Sequence, residues 1–325
     1  MVTPITVRWR SVSVTKRLKT GVVGAGVFGA FHAAKHAASA RADLVGVYDL
    51  DAARAQSLAE RFGAKAFPGF SALLDEVDAI AIASPAPTHF RLAKEALDAG
   101  RHVYVEKPLA MTVAEADSLN ATAERNSAVL QVGHQERFIL SALGLPRIEA
   151  TPQRLELSRC GPPSGRGEDV SVVFDLMIHD LDIARYFGFA RPGKIAACGD
   201  RHETIATLEF DGGRTCSFIA SRRADARRRL LRVVYDDGEI EIDFINRRVV
   251  DSTPHPGAVA VANAPAAFAD PLAQSVEAFF ASALDGARTM VDGKAGRAAI
   301  DWATAIDIKR NELAAIAGEA DRMIA

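Results

Sequence analysis

Short apolar runs alternate with helical segments of about 10–15 residues between positions 18 and 138. The run DAIAIASP at 78–85 is almost continuously apolar, which is typical of a strand buried on both faces. Thr112 and Glu115 form a capping-box pattern that marks the start of a helix. Strands separated by helices of this length predict a parallel sheet with right-handed crossovers. We therefore expect an α/β, Rossmann-type doubly wound domain over residues 18–138.

The pattern changes after Phe138. Six later segments alternate apolar and polar residues or are rich in branched residues, and Asp-Gly turns separate some of them. This predicts an α+β domain over residues 139–325 with an open, mostly antiparallel sheet. A helix at 172–188 interrupts the strands, and helices at 272–285 and 295–318 close the chain. We expect residues 252–271 to be a long loop and residues 1–17 to be an N-terminal extension.

The composition of the chain disfavours several classes of protein, among them nucleic-acid-binding and membrane proteins. The chain has 325 residues, of which 49 % are hydrophobic, so it is long enough for about two domains. A net charge of −2 gives no field that would attract nucleic acid or an anionic membrane. No apolar run reaches the length of about 18 residues that a membrane span needs. Three cysteines without metal-ligand spacing favour a reducing cytoplasm and predict no metal site.

The sequence GAGVFG at 24–29 lies between a predicted strand and a predicted helix. In a dinucleotide-binding turn, Gly24 allows the sharp turn, Gly26 admits the pyrophosphate, and Gly29 lets the helix pack close to the strand. The helix N-terminus adds free N–H groups for the phosphates. Asp49 ends the next apolar run, where a carboxylate accepts hydrogen bonds from the ribose and repels the 2′-phosphate of NADP. This favours NAD; the alternative is a structural glycine turn in another kind of α/β protein.

Polar groups also follow three predicted strands, at 84–89, 106–108 and 134–138. Ligands of parallel sheets bind at these carboxyl ends. Lys107 is a candidate catalytic residue because a lysine beside nicotinamide can hydrogen-bond a substrate hydroxyl and favour its ionisation. The alternative is a surface salt bridge with Glu106. The predicted cofactor contacts are Gly24, Gly26, Val27, Phe28, Gly29, Asp49, Ser84, Pro85, His89, Glu106 and Lys107.

The helix predicted after these strands carries a second polar group. Asp175, His179 and Asp182 are spaced i, i+4 and i+7, so they share one face of a regular helix. Such groups on a largely apolar helix are unfavourable unless they line a cavity. His179 can accept a hydroxyl proton, and Asp175 can orient its ring or hold a second hydroxyl. The alternative is a structural histidine. His134 and Arg137 are further substrate-binding candidates, although Arg137 can instead hold the domain junction.

An arginine-rich run occupies residues 222–232. Its arginines are interleaved with Ala, Asp and Leu, which favours a solvated strand pair or an oligomer surface. An anion-binding patch for a phosphorylated substrate remains open.

Several of these segments together resemble the Gfo/Idh/MocA oxidoreductase family, over nearly everything after residue 17. The resemblance is carried by GAGVFG (24–29), Asp49, SPAPTH (84–89), EKP (106–108), RF (137–138) and FDLMIHDLD (174–182). It implies a nucleotide-binding domain, then an α/β domain whose open sheet serves substrate and oligomer contacts. It also implies tightly held NAD or NADP and a sugar or polyol substrate, with Lys107 as the catalytic lysine and Asp175 and His179 as the substrate-side pair.

Within that family, the segments at 131–138, 169–184 and 270–280 are similar to the branch that acts on nucleotide sugars. The resemblance therefore implies an NAD-dependent oxidation of a sugar hydroxyl, such as the 3-hydroxyl of UDP-N-acetylglucosamine. Alternatives are a polyol or free-sugar dehydrogenase, a glycosidase that retains NAD, and a non-catalytic dinucleotide-binding regulator. We expect a homodimer or homotetramer, because a broad exposed sheet face rarely stays uncovered.

Overall fold

The structure is a computed structural model that describes residues 16–145, 148–163, 165, 167–254, 261 and 264–324. The predicted N-terminal extension therefore lies almost entirely outside the described residues. Within them, no helix combines the length and apolar character needed to cross a membrane.

The first part of the chain forms a six-stranded sheet in which every strand pair is parallel. The strands are β1 (Leu18–Val23), β2 (Ala42–Tyr48), β3 (Lys65–Ala66), β4 (Ala79–Ile82), β5 (His102–Val105) and β6 (Leu130–Val132). Their spatial order is β3-β2-β1-β4-β5-β6, so the order reverses between β1 and β4. A ligand crevice is expected at the carboxyl ends of these two strands. The predicted Rossmann-type sheet is confirmed.

Five helices connect these strands: α1 (Val27–Ala38), α2 (Ala52–Phe62), α3 (Phe70–Leu74), α4 (His89–Asp98) and α5 (Val113–Arg125). The predicted capping box opens α5, since Thr112 accepts from the Glu115 N–H and Glu115 accepts from the Thr112 N–H. Helix α6 (Glu136–Ala142) follows β6 and leads out of the sheet.

The second sheet has seven strands in the order β13-β12-β11-β7-β10-β9-β8. Only the central pair, β7 and β10, is parallel, so the predicted mostly antiparallel sheet is confirmed. The strands are β7 (Arg154–Cys160), β8 (Lys194–Gly199), β9 (Glu203–Glu209), β10 (Thr215–Ser221), β11 (Arg228–Tyr235), β12 (Gly238–Asp243) and β13 (Arg248–Asp251).

The helix predicted at 172–188 is not one regular α-helix. Residues Val173–Met177 form a π-helical turn, and α7 (Ile178–Tyr186) follows it. A π turn contains more residues than an α turn, which changes the direction of the side chains before and after it. The expectation of one regular helix is therefore wrong, and Asp175, His179 and Asp182 each have a different ion-pair partner.

Three helices end the chain: α8 (Ala264–Ala267), α9 (Pro271–Asp285) and α10 (Gly293–Ile324). Helix α8 lies inside the segment predicted as a loop, whose residues 255–260 and 262–263 are outside the described residues. Helix α10 runs past the predicted end at 318. Phe279 and Phe280 of α9 are fully buried in a cluster with Leu18 and Tyr104, so α9 returns to cover the first sheet.

Candidate active site

The glycine turn after β1 has the geometry that the motif predicts. Gly24 has φ +92°, and a Cβ there would lie 2.7 Å from the Ala83 carbonyl oxygen. A Cβ at Gly29 would lie 1.6 Å from the Gly24 carbonyl oxygen. Residue 29 must therefore be glycine for α1 to pack this close to the turn. Gly26 has nothing within 4 Å of its missing side chain and faces open space. The turn therefore leaves room for a phosphate beside the backbone.

A cavity of about 760 Å³ opens at this turn, at the carboxyl ends of β1 and β4. Gly167, Asp169, Val170 and Asp175, which belong to the second part of the chain, complete its lining. The volume lies within the range of about 300–1,000 Å³ that is usual for ligand pockets. Every predicted cofactor residue except Gly29 lines it: Gly24, Gly26, Val27, Phe28, Asp49, Ser84, Pro85, His89, Glu106 and Lys107.

Asp49 lies at the edge of this cavity with its carboxylate held in place. Its Oδ2 accepts a hydrogen bond of 2.6 Å from the Ala25 N–H, and its Oδ1 accepts one of 2.8 Å from the Asp51 N–H. Each oxygen keeps a further lone pair for a ribose hydroxyl. The fixed carboxylate, the glycine turn and the open space at Gly26 together fit NAD.

His89 is 1 % exposed and lies between the loops that follow β4 and β5. Its Nδ1 is 2.7 Å from the Pro108 carbonyl oxygen and its Nε2 is 2.8 Å from the Ser84 carbonyl oxygen. Burial lowers the pKa of His89, so its ring is neutral and donates to one of these carbonyls at a time. His89 thus joins two loops of the cavity, and its contact with the cofactor stays a prediction.

Lys107 projects from the end of β5 towards the π-helical turn. Its Nζ donates to the Asp175 carbonyl oxygen (2.6 Å) and to Asp175 Oδ1 (2.9 Å). Arg222 donates to Asp175 Oδ2 at 3.1 Å. Burial raises the pKa of Asp175, but Lys107 and Arg222 outweigh it and hold that pKa below its ordinary value. The charged amine is therefore fixed at the cavity wall by an ionised carboxylate.

Glu106 does not form the salt bridge with Lys107 that was the alternative. Its Oε1 instead lies 2.8 Å from Nε2 of His32, which is fully buried in α1. A Cβ at Gly133 would lie 2.7 Å from Glu106 Oε2, so the carboxylate is closely packed on that side as well. The ion-pair partner of Lys107 is therefore Asp175 and not Glu106.

His179 forms the second half of the site through a chain of charged groups. Its Nδ1 lies 2.9 Å from Glu136 Oε2, and Glu136 Oε1 lies 3.0 Å from Arg159, which also binds Asp180. Burial lowers the pKa of His179 to about 3, against the opposing effect of Glu136. Burial acts to raise the pKa of Glu136, but His179 and Arg159 hold it well below its usual value. At neutral pH the pair is a neutral imidazole and a carboxylate.

The protonation pattern assigns the donors. Because Glu136 is ionised and acts only as an acceptor, His179 Nδ1 carries the hydrogen of this bond. No side chain in the described part of the chain hydrogen-bonds His179 Nε2, so its lone pair is open to a ligand. Lys107 contributes to the lowered pKa of His179, and His179 contributes to that of Asp175. The charges of Lys107, Asp175 and His179 thus influence one another, and a shared catalytic role of the lysine and the imidazole stays a prediction.

The two other predicted substrate residues have different surroundings. His134 is 1 % exposed, and neither ring nitrogen has a hydrogen-bond partner. Its ring is perpendicular to that of His179, with the centroids 5.7 Å apart. Arg137 donates two hydrogen bonds to Asp182, at 2.6 and 2.7 Å, and one to the Met290 carbonyl oxygen. This favours a role for Arg137 in joining chain segments.

Sequence reasoning missed Glu136, Arg159, Arg222 and His32. Glu136 lies between two candidates in sequence, His134 and Arg137, which was the only local signal for it. The other three have partners far away in the sequence. Arg222 is 47 residues from Asp175, and His32 is 74 residues from Glu106. Arg159 is 21 residues from Asp180 and 23 from Glu136. Within the described ranges, no group of three or more His, Cys, Asp or Glu residues could hold a metal ion.

Comparison with known proteins agrees with this geometry. Residues 18–134 match the model of the oxidoreductase family with an NAD-binding Rossmann fold, GFO_IDH_MocA. A UDP-N-acetylglucosamine 3-dehydrogenase from Acidithiobacillus ferrooxidans is 35 % identical over 295 residues, which are 86 % of this chain and 93 % of that protein. An inositol 2-dehydrogenase from Rubrobacter xylanophilus is 36 % identical over 189 residues, 53 % of each chain.

A solved structure of the A. ferrooxidans enzyme, UDP-N-acetylglucosamine 3-dehydrogenase GnnA, superposes with a TM-score of 0.82 at 32 % identity. The match covers 90 % of this chain and 98 % of that one. The likeness thus extends over both sheets, and the cofactor of the matching family is NAD. The chain belongs to the Gfo/Idh/MocA family of NAD-binding oxidoreductases.

Proposed function

We propose that this oxidoreductase is a dehydrogenase that oxidises the 3-hydroxyl of UDP-N-acetylglucosamine with NAD. The substrate is suggested by the A. ferrooxidans relative, which is similar over 86 % of the chain. The observation that supports the reaction type is Lys107, held by Asp175 at the wall of the NAD-sized cavity. His179, whose charge acts on Asp175, supplies the base.

His179 acts as the general base. Its Nε2 is unprotonated at neutral pH and accepts the proton of the substrate hydroxyl. The resulting imidazolium is paired at Nδ1 with the Glu136 carboxylate, 2.9 Å away. Base catalysis of this kind contributes a factor of about 10²–10⁴ in rate.

Lys107 stabilises the charge that develops on the same oxygen. Two of the three N–H groups of its ammonium are used by Asp175, which leaves one for the substrate. Asp175 therefore acts as a positioning residue for the amine, and Arg222 holds Asp175 from its other side. When bound, NAD supplies the hydride acceptor.

The experiment is a steady-state assay that follows the near-ultraviolet absorbance of reduced nicotinamide. The substrates are UDP-N-acetylglucosamine, other nucleotide sugars, inositols and free sugars. We expect the highest kcat/KM with UDP-N-acetylglucosamine. A preference for inositol, suggested by the R. xylanophilus relative, would replace this proposal with a polyol dehydrogenase. Cleavage of a glycoside without net NAD reduction would indicate a glycosidase, and NAD binding without any turnover a regulator.

We also propose a cytoplasmic homodimer or homotetramer, with residues 18–138 binding the dinucleotide and residues 139–325 binding substrate and partner subunits. The described residues contain three free cysteines, in keeping with a reducing compartment. Ile205 and Val250, on β9 and β13, are 45 % and 46 % exposed on the outer face of the second sheet. Sedimentation equilibrium tests the subunit number, and a monomer at micromolar concentration would contradict the proposal.

A further inference from the structure

A second cavity, of about 310 Å³, lies beside Glu136 and shares no lining residue with the NAD cavity. It is enclosed by the start of α6, by β11, by the turn between β12 and β13, and by the approach to α9. Glu136 forms part of its wall while its Oε2 lies 2.9 Å from His179. The cavity is therefore one side chain away from the proposed general base.

Two arginines give this cavity available positive charge. Arg229 of β11 and Arg247 of the β12–β13 turn both line it. In the part of the chain that the structure describes, neither guanidinium forms an ion pair or a hydrogen bond. Both residues are exposed, and partial burial of the Arg229 guanidinium, together with the charge of Arg159, lowers its pKa. Two unpaired guanidinium groups at one cavity favour binding of an anion, since charge-assisted bonds to phosphate oxygens are strong.

The carboxylates that line the cavity already have cationic partners. Glu136 forms an ion pair with Arg159. Asp270 is paired with Lys35 at 2.6 Å and caps the N-terminus of α9. Arg229 and Arg247 are thus the lining cations that have no such partner in the described part of the chain.

Aromatic rings complete the wall. Phe244 and Phe268 both line the cavity, with their rings 6.0 Å apart and at 82°. Aromatic faces and edges contact a planar base favourably, while guanidinium groups bind phosphate oxygens in a bidentate manner. The volume is at the lower end of the range of about 300–1,000 Å³ for ligand pockets, so it suits part of a larger ligand.

We propose that this cavity is the subsite for the nucleoside diphosphate half of the substrate, with Arg229 and Arg247 binding the diphosphate and Phe244 and Phe268 contacting the nucleoside. The sugar then extends past Glu136 to His179 and Lys107. This inference rests on the proposed function, because it takes a nucleotide sugar as the substrate. It also gives two arginines of the run at 222–232 separate roles. Arg222 holds Asp175, and Arg229 contacts the substrate.

The test uses the variants Arg229→Gln and Arg247→Gln in the full-length protein. Arg248→Gln is the matched control, since Arg248 is the next residue on the same hairpin, is exposed and pairs with Glu241. Losing a charged hydrogen bond to phosphate should raise KM for UDP-N-acetylglucosamine about 10- to 100-fold in each test variant. The affinity for NAD should stay unchanged, and the control should keep the wild-type KM.

A direct titration with UDP separates this inference from the proposed function. We expect wild-type protein to bind UDP, and both test variants to bind it at least about tenfold more weakly. If the wild type oxidises UDP-N-acetylglucosamine while the variants keep its KM and their affinity for UDP, the subsite is wrong and the function stands. If no nucleotide sugar is oxidised but UDP binding depends on both arginines, the function is wrong and the subsite stands. Failure of the wild type to bind UDP overturns the subsite.

Discussion

Replacing Glu136 by Gln tests the assignment of His179 as the general base. The substitution keeps the size of the side chain but removes the negative charge 2.9 Å from His179 Nδ1. In the wild type, this charge stabilises the imidazolium that forms when the substrate proton is accepted. The variant amide is neutral and leaves that imidazolium without its counter-ion.

The size of the effect follows from the distance. Two unit charges about 4 Å apart interact by about 4 kcal/mol at an effective dielectric constant of about 20. The side chains of His179 and Glu136 are 15 % and 11 % exposed, so solvent screens only part of this interaction. At about 1.36 kcal/mol for each factor of ten, we expect kcat to fall by about 10²–10³.

The assay is steady-state NAD reduction with saturating UDP-N-acetylglucosamine, together with a titration of NAD binding. Asp180→Asn is the control, because Asp180 is equally buried and binds the same Arg159 without contacting His179. We expect Glu136→Gln to lose turnover and keep NAD affinity, and Asp180→Asn to keep kcat within about tenfold. Equal losses of kcat in the two variants would show that the effect is structural and that the Glu136 charge does not support His179 as the base.

Three further outcomes follow from single positions. Gly29→Ala should destabilise the fold by at least about 1–3 kcal/mol, because its Cβ would overlap the Gly24 carbonyl. Gly26→Ala should keep the stability of the wild type and weaken NAD binding. Thermal unfolding and an NAD titration distinguish the two variants, and a Gly29→Ala variant as stable as the wild type would contradict the packing. Asp49→Ser should weaken NAD binding about 10- to 100-fold and improve the use of NADP relative to NAD; an unchanged NADP/NAD ratio of kcat/KM would argue against the ribose contact. The buried His36 has a pKa of about 3, below its ordinary value of 6.5, so the unfolded chain gains a proton that the folded protein excludes as the pH falls from 6.5 towards 3. The free energy of unfolding therefore decreases in that window, and His36→Leu should remove about 2 kcal/mol of the loss between pH 7 and about pH 5; denaturant titrations at both pH values would show no difference if His36 were not responsible.

The fold was predictable where the signal is local. The parallel strands follow from short apolar runs bounded by turns, and the glycine turn from residue types whose backbone and space requirements are specific. The strand-end position of Lys107 follows from the same pattern, because strand ends of one sheet meet at one edge. Each of these inferences needs only residues within one strand–turn–helix unit.

The rest depends on tertiary contacts that leave no periodic trace. Glu136 reaches His179 across 43 residues, and Arg222 reaches Asp175 across 47. Residues Val173–Met177 form a π turn before α7, and no propensity of VFDLM distinguishes it from an α turn. Helix α9 packs on the first sheet although it is distant in sequence: Gln131 of β6 donates a hydrogen bond to Ser275 of α9, 144 residues later.

In the proposed reaction, the Lys107 ammonium acts on the substrate oxygen and is not needed to hold NAD. Lys107→Ala, assayed for NAD reduction with UDP-N-acetylglucosamine and titrated with NAD, tests it most directly. We expect a loss of turnover of about 10³ with NAD affinity within about threefold of wild type. Turnover close to wild type in this variant would contradict it.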